Sequence, residues 1–305
     1  MGRLTGTLGL AGLFLSGALM AQETVVLGTA TPGGGFPVYG AAYADMVNAQ
    51  EPALRIETRN TRGSTENVPL LEAGKLDIAL VQGEVAEVQL AKPGNALRIV
   101  TAMYGSPGLF AVRADSPVRS IADLRGKPVA LGAQGSGLTI LGRNVLQALG
   151  VEVQPITLEK AGDGPAMVLD GRAEALWGAG IGWPGFTALA KSGARFFGPD
   201  AREIAGILAK NPALKPLTMP AGAYPGIDKP IETVGSWSFV PARAELAEDV
   251  GYRLARALHR AEAPFAARLT QAREITSANT VAAAPRPDLI HPGVQRYLRE
   301  AGLLK

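Results

Sequence analysis

The chain of 305 residues contains no cysteine and only two histidines, His259 and His291. The first absence removes disulfides, thiolate nucleophiles and cysteine-bound metals. The second leaves no ligand set for a metal, because neither histidine has a partner at ligand spacing. No metal and no cofactor are therefore expected. Charge is thin as well: the net value is +3, and the lysines and arginines are scattered rather than gathered in runs. That excludes the basic footprint of a nucleic-acid binder. Long apolar runs are missing beyond the N-terminus. The opening "MGRLTGTLGLAGLFLSGALMAQ" has one basic residue, Arg3, then an apolar stretch from Leu8 to Leu19 and small residues before Gln22. This is the layout of a secretory signal, too short for a span of roughly 20 apolar residues. Residues 1–21 are expected to be that signal, cleaved after Ala21, with Ala18 as the second site. A soluble, monomeric protein of the periplasm should remain.

What is present alternates. "ETVVLGTA" (23–30) reads as a buried strand. Tyr39, Tyr43, Met46 and Val47 recur at helical spacing in a helix that must stop before Pro52. "LRIETRN" (54–60) alternates like a strand, and "RGSTENVPLLEAG" turns into a helix ended by Gly74. Pro69 lies so early in it that a start nearer Glu66 is expected. "LDIALVQG" (76–83) and "LRIVTAMYG" (97–105) are further strands. The same grammar restarts at residues 120–151, where Gly150 should cap a helix carrying Leu138, Leu141, Val145 and Leu149 on one face. "TVGSWSFVPA" (233–242) reads as one strand. Residues 244–272 form a long helical tract that Pro264 should kink or divide, and 291–304 form a capped terminal helix. Strand–helix alternation with short connections means an α/β fold with a mostly parallel sheet. "LLEAGKLDIALVQG" (70–83) and "MVLDGRAEALWGAG" (167–180) echo each other as helix end, glycine and apolar strand, which favours two similar lobes.

The stretch "GTATPGGGFPVYG" (28–40) holds five glycines and two prolines in thirteen positions. It is no P-loop, because no Gly-Lys-Ser/Thr follows, and it lacks the dinucleotide fingerprint. "LGAQGSG" (131–137) has the wrong glycine spacing for that fingerprint. Neither loop carries the Gly-x-Ser-x-Gly elbow, and the two histidines do not suit a Ser–His pair. Three turns do share a trait. Gly33, Gly34 and Gly35 precede one helix, Gly63 and Ser64 a second, and Gly135, Ser136 and Gly137 a third. Such turns present unpaired N–H groups and the positive end of the helix dipole to an anion. Ser64 and Ser136 also suit ordinary N-caps. Three turns at the carboxyl ends of strands point to a shared crevice.

On these residues the chain resembles the TAXI family of TRAP-transporter solute receptors over nearly its whole mature length. The resemblance is carried by "GTATPGGGFPVYGAAYADMVN", "RGSTENVPLLEAGKLDIALVQGE", "SIADLRGKPVALGAQGSG", "MPAGAYPG" (219–226) and "HPGVQRYLREAG". It implies the class II periplasmic-binding-protein fold: α/β, with two lobes joined by a two-segment hinge and the cleft between them. It implies that the opening loop, the Ser64–Asn67 turn, Gln82 and its neighbours, and Ser136–Gly137 line that cleft. Family members hand glutamate-like amino acids or dicarboxylates to a sodium-driven membrane transporter. Pro32 and Phe36 depart from the family's usual glycine or threonine and tyrosine, Arg62 stands where glycine is usual, and "QGE" (82–84) replaces a Gln-Ser-Asp pattern.

The expected boundaries are residues 22–109 with 233–305 for lobe 1, and 110–232 for lobe 2. The expected ligand residues of the opening loop and first helix are Thr31, Gly33, Gly34, Phe36 and Tyr39. Arg62 is the candidate carboxylate fork, beside Gly63, Ser64, Asn67 and Gln82. Tyr104 should line the hinge. Gly135, Ser136, Gly137, Thr139, Trp177, Gly180 and Trp183 complete the set from lobe 2. Tyr224 is placed near the crossover, Trp237 in the core, and His291 in a capping or structural role. The function expected is binding of a small organic anion for delivery to a TRAP-type permease, with no catalysis. A sensory module for a membrane kinase or an ABC-transporter receptor would use the same cleft, and enzymes are also built on these lobes.

Overall fold

The computed structural model describes residue 2 and residues 22–305; the expected signal segment and its cleavage sites lie outside the described residues. Among the described residues no helix is long and apolar enough to cross a membrane. The first run of elements is β1 (Glu23–Gly28), α1 (Gly35–Gln50), β2 (Leu54–Arg59), α2 (Ser64–Glu72), β3 (Ile78–Ala79), α3 (Gly83–Leu90) and β4 (Arg98–Gly105). The chain then crosses to β5 (Gly108–Val112), β6 (Pro128–Ala133), α4 (Gly137–Leu149), β7 (Gln154–Leu158), α5 (Gly164–Leu169) and β8 (Ala175–Ala179). There follow α6 (Pro184–Ala190), β9 (Arg195–Phe197), α7 (Ala201–Lys210), β10 (Lys215–Met219) and β11 (Ile231–Gly235). It returns through β12 (Trp237–Ala242) and ends in α8 (Glu248–Arg268), α9 (Ser277–Ala283) and α10 (Pro292–Glu300).

The described residues form two five-stranded sheets, ordered β2-β1-β3-β12-β4 and β7-β6-β8-β5-β9, and a two-stranded sheet of β10 and β11. In each larger sheet three parallel strands are followed by one antiparallel strand, and the fifth strand runs with the first three. Strands β3 and β8, which carry the repeated sequence echo, occupy the same third place. Each is preceded by a glycine at positive φ, Gly74 at 64° and Gly171 at 82°, a conformation that strains any residue with a β-carbon. The echo is therefore a repeated helix–turn–strand connection.

Each larger sheet is covered on both faces, as parallel sheets require. Leu27, Tyr43 and Val47 pack with Leu254, Leu258 and Phe265 on one face of the first sheet, while Leu71, Val81, Leu90 and Phe239 fill the other. In the second sheet Phe110, Val145, Trp177 and Ile207 form one core and Leu158, Leu176, Phe186 and Tyr224 the opposite one. Helix α4 ends where the sequence suggests, with Gly150 at φ 65° closing it.

Three local expectations change. The segment 233–242 is two strands in different sheets. Its break at Ser236 is a close crossing: a β-carbon on Gly235 would lie 2.1 Å from the carbonyl oxygen of Ser106. The chain thus changes sheets between Gly105 and Gly108 and again between Gly235 and Trp237: residues 108–109 pair with β8 in the second sheet, and residues 233–235 pair with β10 in a separate two-stranded sheet. Helix α2 starts at Ser64, with Pro69 inside it. Pro264 neither ends nor divides α8, which runs on to Arg268. The fully buried Phe265, its ring centroid 5.6 Å from that of Tyr39 at a tilt of 38°, anchors that last turn. A packed aromatic here outweighs the single backbone hydrogen bond a proline removes.

Candidate functional site

The two lobes meet along helix starts. A glycine at φ 110°, Gly63, begins α2, and its β-carbon position lies 3.3 Å from the Ser136 Cα across the cleft. Thr65 donates from its N–H (3.3 Å) and its hydroxyl (2.8 Å) to the Gly135 carbonyl. At the start of α4, a β-carbon on Gly137 would lie 2.6 Å from Gln82 Cβ and 2.9 Å from Ser64 Oγ. At the other end of the cleft, Gly33 meets the backbone nitrogen of Gly162 at 2.9 Å, and Gly35 meets the Trp183 ring at 3.2 Å, both measured from the glycine's β-carbon position. Only hydrogen in place of a side chain allows the lobes this close.

Between these contacts lies a cavity of about 70 Å³. One water needs roughly 10–15 Å³ of such space, so the cavity has room for a small organic molecule. Its polar lining is Ser64, Gln82, Ser106 and Ser136, with the backbone of Gly35, Gly63, Gly132 and Gly137. Its apolar lining is Ala30, Phe36, Tyr104, Ala133, Leu138, Ala161, Ala179 and Trp183. No charged side chain is among them. The start of α1 has no side-chain cap, so its first N–H groups remain available. Gln82 is 5% exposed, and its Nε2 has no hydrogen-bond partner.

A buried carboxyl stands behind this wall. Glu84 accepts from Ser236 Oγ at 2.7 Å, and its Oε1 is unpartnered. Burial pushes its pKa up to about 7 against the opposing pull of the Ser236 hydrogen bond. Ser236 is itself the return crossing, and its carbonyl accepts from Ser106 N–H at 3.0 Å. Beside the other crossing, Glu274 accepts from Gly105 N–H at 2.6 Å and ties the C-terminal segment to the hinge.

A family model described as the NMT1-like family matches residues 27–302. The chain belongs to the NMT1-like family. This NMT1-like protein is similar in structure to the periplasmic aliphatic sulphonate binding protein SsuA from Escherichia coli, at 20% identity over 91% of this chain and 83% of that one, with a TM-score of 0.51. It is similar to MatC from Rhodopseudomonas palustris with bound malate, at 16% identity, 92% and 96% coverage and a TM-score of 0.58. It is also similar to the substrate binding protein of an amino acid ABC transporter, at 14% identity, 87% and 100% coverage and a TM-score of 0.50. These likenesses fix the fold of the NMT1-like protein as the two-lobed periplasmic-binding-protein architecture.

Of the residues expected at the site, the structure brings Phe36, Gly63, Ser64, Gln82, Tyr104, Ser136, Gly137 and Trp183 to the cavity wall. Ser136 caps α4, accepting from Leu138 N–H at 3.2 Å. Ser64 is no cap: as the first residue of α2 it accepts from Gln82 N–H at 3.0 Å and fixes the cleft end of β3. The other expected residues lie elsewhere. Arg62 is mostly exposed, 3.4 Å from Glu66, and lines a separate outer cavity with Thr139 and Gly135. It projects to solvent because the adjacent Gly63 turns the helix start, and only the glycine, toward the cleft. Tyr39 is fully buried among Tyr43, Tyr104 and Phe265. Asn67 is fully buried and donates to the carbonyls of Thr29 and Leu80, both at 2.8 Å, which joins β1 to β3. Trp177 is core, donating to Leu138 O at 2.9 Å and packed at a tilt against Phe110 with ring centroids 4.8 Å apart. Thr139 donates to Ala133 O at 2.9 Å. Gly33 and Gly34 contact lobe 2 at the rim, Thr31 holds the loop by accepting from Gly34 N–H, and Gly180 accepts from the Tyr224 hydroxyl at 2.8 Å.

The same Tyr224 oxygen accepts from Trp183 N–H at 2.7 Å, so Tyr224 positions the Trp183 turn. His291 caps α10 by accepting from Gly293 N–H. Gly35, which the sequence placed in the first glycine turn, also reaches the wall, while sequence reasoning missed Ser106, Gly132 and five apolar lining residues. Ser106 had a usable signal, since it stands two residues past Tyr104, where the strand leaves the first lobe.

Proposed function

We propose that this protein is an extracytoplasmic solute receptor that binds a small organic anion between its lobes and delivers it to a membrane transporter. The observation that carries this reading is the closed cleft whose polar wall holds only neutral groups, with the starts of α1, α2 and α4 among them. Such a wall favours a negative charge through N–H groups and helix dipoles. The apolar remainder of the cavity accepts the body of the ligand. Ser64, Ser106 and Ser136 have no base beside them, because His259 pairs with Tyr297 and His291 caps α10. On this reading the work is binding, with closure of the lobes about their two crossings. The motif resemblance to TAXI receptors supports a TRAP-type secondary transporter as the partner, and the N-terminal signal supports the periplasm as the place.

The test is a thermal melt of protein unfolded and refolded to remove any carried ligand, against panels of anionic, cationic and neutral solutes. A ligand at 100 times its dissociation constant adds about 2.7 kcal/mol of stability, a shift of several degrees at this size. Shifts confined to organic anions are expected. Shifts given by sugars or cations instead would overturn the reading.

A further inference from the structure

The receptor reading leaves open which anion the cleft takes, and the distribution of charge around it narrows the class. Resting on that reading, we propose that the ligand is a singly charged organic acid with an apolar body, carrying neither an ammonium group nor a second carboxylate.

An ammonium has nowhere to go. Among the described residues no Asp or Glu lines the cavity, and the nearby carboxylates stand behind its wall or outside it. Glu84 is bonded to Ser236 Oγ behind Gln82, Glu66 accepts from Arg62 N–H on the outer face, and Glu274 accepts from Gly105 N–H. An amino acid closed into this space would bury its cation without a counter-charge, facing the positive ends of helices, and both effects oppose binding.

A single anion is served at one end. There the starts of α2 and α4 converge, and the Gln82 side chain, 5% exposed, lies against them with its Oε1 3.0 Å from the β-carbon position of Gly137, so its amide adds a neutral polar group beside the helix N–H groups. The nearest free cation in sequence, Arg62, is held outside by its bond to Glu66. A dicarboxylate would therefore have no cation to neutralise its second charge. The opposite end is walled by Phe36, Trp183 and Ala161, which suits hydrocarbon and leaves a second carboxylate against aromatic rings.

Matched skeletons test this by calorimetry on refolded protein. Each set holds a monocarboxylate, the corresponding monosulfonate, the 2-amino acid, the dicarboxylate and the neutral alcohol, in linear, branched and aromatic series; 4-methylpentanoate against leucine is one such pair. The expected result is that some monoanion binds about 100-fold or more tighter than its amino-acid and dicarboxylate counterparts, the scale set by an uncompensated buried charge. Gln82→Leu should weaken that monoanion by about 10-fold or more while leaving the melt of unliganded protein unchanged. Equal or tighter binding of an amino acid or dicarboxylate overturns the charge assignment and leaves the receptor reading standing. Equal binding of the alcohol overturns the anion assignment. Silence across all series overturns both.

Discussion

Replacing Gly137 by alanine separates closure of the lobes from stability of the fold. The added β-carbon would lie 2.6 Å from Gln82 Cβ, 2.9 Å from Ser64 Oγ and 3.0 Å from Gln82 Oε1, all on the opposite lobe. Carbon atoms in comfortable contact sit about 3.5–4.0 Å apart, so the lobes must part by about 1 Å at this point. That displacement takes a charge-assisted hydrogen bond of about 2.8 Å beyond bonding range on one side of the ligand. A hydrogen bond to a charged group contributes about 1.5–3 kcal/mol, so Kd should rise roughly 10- to 150-fold. The unliganded protein should not suffer. Gly137 is the first residue of α4 and does not occupy positive φ, and alanine in place of glycine at a compatible position stabilises by about 0.4–1 kcal/mol. Calorimetric titration gives the affinity, and a thermal melt without ligand gives the stability. A variant that binds within threefold of wild type would refute the closed geometry, and one that melts several degrees lower would refute the assignment of Gly137 to closure rather than folding.

Three further outcomes follow from the same geometry. Arg62→Ala should change Kd less than about fivefold, because Arg62 lies outside the cavity and its exposed pair with Glu66 contributes at most about 1 kcal/mol; a tenfold loss in titration would restore it as a carboxylate fork. Trp177→Ala should cost about 3–5 kcal/mol through cavity formation in the second lobe, read as a loss of roughly 10 °C in the melt; a melt within two degrees of wild type would show that the ring is not core. Glu84, pushed up to about 7 from an ordinary 4.5, holds its proton in the folded state over a range where the unfolded chain has lost it. Stability should therefore fall as pH rises from about 4.5 to 7 and level off above, by about 3 kcal/mol from this group. Glu84→Gln keeps an acceptor for Ser236 and should remove that slope, so the two proteins' urea-denaturation stabilities should converge at pH 5 and diverge at pH 8; parallel values would contradict the buried acid.

Much of this architecture was legible in the sequence because local signals and packing agree in it. The β-branched strand at 23–28, the face of α4 and the positive-φ Gly74, Gly150 and Gly171 each follow from patterns that one element alone dictates. The glycine turns at Gly63 and Gly137 were legible as part of the site for the same reason, since a helix start needs no distant partner to expose its N–H groups. Long-range contacts were not legible. The division of 233–242 into two strands depends on Ser106 lying against Gly235 from far along the chain. The inward or outward choice for Tyr39, Arg62 and Trp177 is set by neighbours such as Phe265, Glu66 and Phe110, which no local spacing reveals. From their own chemistry Pro69 was expected to shift a helix start toward Glu66 and Pro264 to kink or divide a helical tract, yet both lie within continuous helices.

The central claim is that ligand closes the two lobes on each other, and distance measurement tests it most directly. The chain has no cysteine, so spin labels attach only where cysteines are placed. Ala73→Cys, just past α2, and Gln147→Cys, near the end of α4, put one label on an exposed position of each lobe. Pulsed electron resonance should show a broader, altered distribution without ligand and a single narrow distance, the one in this structure, with a saturating acid. An unchanged distribution in the presence of demonstrably bound acid would contradict the account.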